Sequence, residues 1–209
     1  MNIQGRWFLT IAGALAATAP ALAAQEGRVE RDAFTWNGKI PEGRWITVRN
    51  MNGPIEIVPA SGDRVEVNAT RHVRRGDPNF VRFEVQKYGS GEQDVLICAL
   101  WGENSVCDED GYRSRSDRRS RENNISVSFV VRVPRGVKVG AHGVNGDVRV
   151  EGVTSEVDAG SVNGGVFVST AGGPVSANTV NGTVRARMGK FDLRSDLRFT
   201  SVNGTVIAR

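Results

Sequence analysis

Beyond its first two dozen residues, the chain shows no apolar spacing of helical period. Hydrophobic and polar positions alternate instead, in short runs rich in β-branched and aromatic residues and closed off by Gly, Asn, Pro or Asp. Residues 45–48, 55–58, 65–67, 80–85 and 95–98 are such runs, and each predicts a strand. A polar stretch interrupts them at about 102–124, where Asp108, Glu109 and Asp110 precede Arg113, Arg115, Arg118, Arg119 and Arg121. It lacks the alternating oxygen ligands and distal Glu of a calcium loop, and having no apolar anchors it predicts a solvated loop. Strand character resumes over 125–133 and stops at Pro134.

From residue 138 the pattern becomes a repeat. Val-Asn-Gly recurs at Val144-Asn145-Gly146, Val162-Asn163-Gly164, Val180-Asn181-Gly182 and Val202-Asn203-Gly204, with the Asn residues 18, 18 and 22 positions apart. Three positions after each Asn stand Val148, Val166, Val184 and Val206; five after stand Val150, Val168, Ala186 and Ala208. Counting back from the later Asn residues, Val157, Val175 and Leu197 align, as do Ala159, Ala177 and Phe199. The four extra residues of the third unit therefore fall within 187–196, as an outward bulge or loop. A related Asn52-Gly53-Pro54-Ile55-Glu56-Ile57 stands alone in the first half.

Two all-β architectures fit this register. In an antiparallel meander or sandwich, each Asn-Gly is a type I′ hairpin turn. In a β-solenoid, each unit is one coil and Asn-Gly marks the same corner of every rung. In both, Gly, and Asn less readily, is suited to a positive φ. The solenoid is preferred, because rungs stacked ~4.8 Å apart place each side chain on its own counterpart and so favour identical residues at a fixed offset. The Val and Ala columns then form the interior. Asn145, Asn163, Asn181 and Asn203 form a hydrogen-bonded ladder at the corner, next to Gly146, Gly164, Gly182 and Gly204. The expected organisation is one continuous domain, with an N-terminal β region over 24–137 and the repeats over 138–209.

Composition adds compartment and subtracts chemistry. Residues 8–19 form an apolar run after the single charge of Arg6, Pro20 breaks it, and Ala21-Leu22-Ala23 supplies small residues at a cleavage site. This reads as a Sec-type signal peptide over 1–23, with Ala24 as the near alternative for the cleavage point. The run is shorter than the ~20 residues of a membrane span, so the mature protein is expected to be periplasmic or secreted, without a transmembrane segment. Export permits disulfides, and Cys98 and Cys107 are spaced to close a hairpin or short loop. With 27 basic and 23 acidic residues, the net charge of +4 gives no support for a nucleic-acid partner.

The motif Val144-Asn145-Gly146-Asp147-Val148-Arg149-Val150-Glu151-Gly152-Val153 and its later copies resemble the bacterial DUF4097 family, β-strand repeat proteins that carry an adhesin label. Asn52 to Ile57 and the strand 129–133, leading through Pro134 and Gly136 into the repeats, match as well. The resemblance covers about 30–209, least well at 99–124. It implies an exported β-solenoid-like domain, and it brings no catalytic residues to carry over.

The residues offer little else in the way of chemistry. The 2 histidines, His72 and His142, stand beside strands and read as surface or loop positions; no catalytic group, metal site or cofactor is expected. A glycosidase needs two carboxylates ~5–9.5 Å apart on one outer face, and no outward column pairs them across neighbouring rungs. Glu151, Glu156 and Asp158 crowd the first unit alone. Arg185, Arg187, Arg198 and Arg209, with Lys190 and Arg194, gather toward the C-terminal rungs as a candidate face for an anionic glycan or an acidic envelope protein. The expected function is thus a non-enzymatic, exported β-repeat protein, an adhesin or envelope interaction module. A carbohydrate-active β-helix enzyme and a partner of an envelope-stress regulator are the alternatives.

Overall fold

The computed structural model describes residues 28–29, 33–114, 122–189 and 196–209. The signal-like segment lies outside them, as do Lys190, Arg194 and most of the extra residues of the third repeat. In the first half, the strands are β1 (Arg28–Val29), β2 (Ala33–Gly38), β3 (Trp45–Asn52), β4 (Ile55–Pro59), β5 (Val65–Arg75), β6 (Val81–Tyr88) and β7 (Asp94–Trp101). A hairpin follows, β8 (Ser105–Asp108) and β9 (Gly111–Ser114), and then β10 (Asn124–Val133). The repeats supply β11 (Lys138–Asn145), β12 (Val148–Val153), β13 (Val157–Asn163), β14 (Val166–Thr170), β15 (Val175–Asn181), β16 (Val184–Met188), β17 (Leu197–Asn203) and β18 (Val206–Ala208).

These strands form two mixed sheets packed across one core, and neither sheet closes into a barrel. The nine-stranded sheet runs β1-β2-β5-β10-β4-β12-β14-β16-β18, and the seven-stranded sheet runs β17-β15-β13-β11-β3-β7-β6. Pairing is antiparallel where β2, β5 and β10 meet and where β6 meets β7; the repeat strands pair in parallel. Parallel neighbours need a crossover between them. Here the crossover is itself a strand of the opposite sheet, so each repeat unit adds one strand to each layer.

The register follows the repeat. Val148 pairs with Val166, Val166 with Val184 and Val184 with Val206. Opposite them, Val139, Val157, Val175 and Leu197 align, as do Ala141, Ala159, Ala177 and Phe199. Val148, Val166, Val184, Ala141, Ala159 and Ala177 are fully buried, and burying a Val side chain contributes about 1.5–3 kcal/mol. The solitary Asn52-Gly53 of the sequence proves to be the first rung: Asn52 pairs with Asn145, and Ile55 with Val148. The core broadens toward the N-terminal strands, where Phe34 stacks on Phe83 at 4.7 Å and Phe83 meets Phe129 edge-on at 6.0 Å.

The corners differ from the sequence expectation in their cause. Gly146 has a positive φ, but Glu92 is the non-Gly residue with one among the described residues, so the corner asparagines are not left-handed. Close backbone approach is what the corner demands. A Cβ on Gly146, Gly164, Gly182 or Gly204 would stand 2.3, 2.2, 2.3 or 1.8 Å from the carbonyl oxygen of the glycine one rung below. The Asn side chains then run up the stack: Asn163 donates to Asn145 at 2.9 Å, Asn181 to Asn163 at 2.8 Å and Asn203 to Asn181 at 2.9 Å. Two positions before each of the last three Asn, Ser161, Thr179 and Ser201 donate to the carbonyls of Gly146, Gly164 and Gly182.

The stretch read as a solvated loop at 102–124 is partly folded. Its first half is the β8–β9 hairpin, held to β7 by the Cys98–Cys107 disulfide. The hairpin covers the outer side of β7, where Leu96, Cys98 and Leu100 pack with Cys107 and against Tyr88 and Tyr112. Every residue of β7 is therefore buried, which accounts for the unbroken apolar run Val95-Leu96-Ile97-Cys98-Ala99-Leu100-Trp101.

Candidate functional site

Two outward surfaces carry side chains that the fold itself does not need. On the nine-stranded sheet, Arg149, Phe167 and Arg185 occupy one register position on adjacent strands. Their guanidinium carbons lie 5.1 and 5.8 Å from the Phe167 ring centre, so the ring sits between two cations. Arg149 also donates to Glu151 at 2.9 Å. One row further on, Arg187 pairs with Ser169, and these residues border an open hollow of about 590 Å³ that Val58, Pro59 and Gly152 also line.

The four arginines singled out in the sequence do not share this surface. Arg185 and Arg187 lie on β16, and the backbone of Arg209 bonds to Ala186 and Met188, which sets it beside Arg187 at the sheet edge. Arg198 lies on β17, in the other sheet, paired with Ser176. Successive strands of a repeat unit alternate between layers, so an outward residue of β17 faces the opposite side of the molecule. The acids divide in the same way: Glu151 is on β12, whereas Asp158 is on β13 and Glu156 immediately precedes it.

The second surface is the outer face of the seven-stranded sheet, beside the hairpin. There β3, β11 and β13 align Thr47, Gly140 and Asp158 in one row, and Arg49, His142 and Gly160 in the next. A Cβ on Gly140 would stand 2.7 Å from the Thr47 hydroxyl, so the missing side chain lets Thr47 lean across and share a 2.9 Å hydrogen bond with the Tyr88 hydroxyl. The Asp158 carboxylate lies 3.5 Å from His142 Nε2. Arg49 donates through Nη2 to the Glu109 carbonyl at 2.9 Å, whereas its Nε is buried without a hydrogen-bond partner among the described residues.

Electrostatics sharpen this cluster. Burial holds the His142 imidazole below its usual value, against the opposing pull of Asp158 and with the help of the Arg49 charge, so the ring is neutral at pH 7. Burial likewise pushes the Tyr88 phenol above its usual value, only partly offset by its bond to Thr47. His142 is thus no loop histidine but a half-buried member of a polar cluster. His72 lies elsewhere, exposed and bonded to Ser128 at 2.8 Å. Sequence reasoning passed over Thr47, Arg49, Tyr88 and Asp158 as a group because residues up to 111 positions apart meet only through sheet order. The one local signal was the pair of outward glycines, Gly140 and Gly160.

No protein-family model matches the chain, and no curated protein does. Among solved structures, a candidate cell adhesion protein from Clostridium sporogenes is similar, with a TM-score of 0.59 and 7% identity over 88% of this chain and 99% of that one. Candidate adhesins from Bacteroides fragilis (TM-score 0.30, 9% identity, 86% of this chain and 98% of that one) and Parabacteroides merdae (TM-score 0.20, 8% identity, 85% and 96%) also align. The Clostridium likeness shows a shared fold, and the other two are too distant to add to it.

Proposed function

We propose that this chain is an exported, non-enzymatic β-solenoid protein of the DUF4097 type that acts as an adhesin or envelope interaction module. Its fold is shared with a structure named for cell adhesion. The in-register repeat strands, the disulfide and the signal-like first 23 residues all support an envelope setting. No helix among the described residues is long and apolar enough to cross a membrane. On this reading the function lies in the outer surface, which the stacked rungs hold rigid.

The observation that carries the reading is the Arg149–Phe167–Arg185 row with Arg187 beside it. Guanidinium groups present planar, forked donors suited to carboxylate or phosphate, and the aromatic ring between them adds a stacking face. Such a row fits an anionic envelope glycan, or an acidic patch on an envelope protein. Binding to immobilised polygalacturonate at low salt should fall as salt rises, since exposed charges are screened within ~8 Å at physiological ionic strength. The Arg185→Ser, Arg187→Ser double variant should bind more weakly and with a flatter salt dependence. Retention indistinguishable from the unmodified protein at every salt concentration would remove the proposal.

A further inference from the structure

The polar cluster on the opposite face shows a different chemistry from the arginine row. Two hollows of about 220 and 290 Å³ adjoin there, and both are bordered by Arg49 and His142. Half-buried aromatic residues line both, Trp45 and Tyr88 in one hollow and Tyr112 in the other. Each hollow lies below the usual volume of a drug-sized pocket, which suits one sugar ring apiece along a groove.

The polar groups between the aromatics come as neighbouring donors and acceptors. The Asp158 carboxylate accepts, the Thr47–Tyr88 hydroxyl pair can do either, and the neutral His142 ring offers one of each. The buried Arg49 Nε–H lacks an acceptor among the described residues, and a buried charged donor in that state is expected to meet a ligand or water oxygen. Of the charged residues that border the hollows, Arg49 stands against Asp158 and Glu109, and just outside them Lys138 pairs with Glu156 at 2.8 Å. The groove therefore has no excess positive charge with which to select an anion.

We propose that this groove binds an uncharged oligosaccharide. Vicinal hydroxyls engage Asp158, Arg49 and His142, while the C–H faces of the rings lie on Trp45, Tyr88 and Tyr112. This is a second site, separate from the anionic ligand of the arginine row. It fails or stands independently of that reading, since the two surfaces lie on different sheets.

The test titrates the full-length mature protein with maltohexaose, cellohexaose and hexa-N-acetylchitohexaose, and with hexagalacturonate as the acidic comparison, following heat and tryptophan fluorescence. At least one neutral hexasaccharide should bind and change the fluorescence. Trp45→Phe and Asp158→Asn should each weaken that binding about tenfold or more, and the Arg185→Ser, Arg187→Ser double variant should leave it unchanged. In the unsubstituted protein, sugar-induced amide shifts should centre on Gly140, His142 and Gly160, a readout that does not depend on any variant folding. The proposal is overturned if none of the three neutral sugars binds at ~10 mM, which would mean an affinity too weak to matter. Binding of the acidic hexamer alone, affinity untouched by both groove substitutions, or shifts centred elsewhere would also overturn it.

Discussion

A methyl group added at Gly164 would stand 2.2 Å from the carbonyl oxygen of Gly146 and 2.5 Å from its carbon, and neither is the movable end of a side chain. The corner must therefore open to accept it, straining the Gly164 N–H bond to Asn181 and the Ser161 bond to Gly146. We expect Gly164→Ala to lower stability by about 1–3 kcal/mol, the usual cost of overpacking a fixed site. Gly62→Ala is the matched control, because nothing lies within 4 Å of the added atom, and its effect should stay within about 0.5 kcal/mol. Urea midpoints of the two variants decide the matter; equal midpoints would refute the close-approach account. The same residue-scale economy explains the hydroxyls at 161, 179 and 201, which satisfy glycine carbonyls that the tight corner turns away from any strand partner.

At the scale of elements, the β8–β9 hairpin depends on a covalent tether as well as on packing. Among the described strands it pairs only with itself, and a lone two-stranded hairpin is marginal in water. The Cys98–Cys107 bond and the small cluster of Leu96, Leu100, Tyr88 and Tyr112 hold it on β7. Closing so short a loop is worth about 2–3 kcal/mol. Reduction should accordingly speed amide exchange in β8 and β9 while β3 and β11 keep their protection. It should also weaken the groove, since Arg49 bonds to Glu109 in the hairpin turn. Unchanged exchange in the hairpin after reduction would show that packing alone suffices.

For the whole molecule, parallel stacking makes stability depend on neighbours. Rungs in the middle are covered on both sides, but β17 and β18 are the last strands of their sheets. The column that is fully buried at Val148, Val166 and Val184 ends at Val206, which is 42% exposed, and Val202 beside it is 68% exposed. Phe199 and Leu197 pack against the core only partly. Amide protection should therefore fall along the stack, highest in β11 to β14 and lowest in β17 and β18. Uniform protection across all rungs would mean that the sheets open as one cooperative unit instead.

What the sequence determined by itself is the register. A side chain that stacks on its own counterpart leaves the same residue at the same offset, so Val148, Val166 and Val184 and the asparagine ladder were legible from spacing alone. The disulfide followed from two cysteines in one short stretch. Tertiary structure alone decided which layer each strand joins. A gathering such as Arg185, Arg187 and Arg198 reads as one basic surface along the chain, yet alternation between sheets sends Arg198 to the far side. The same sheet order gathers Arg49, Tyr88, His142 and Asp158 from four separate strands. Unlike the corner asparagines, the outward side chains of this cluster do not stack on identical counterparts, so no periodic pattern marks them, and their proximity exists only once the strands have paired.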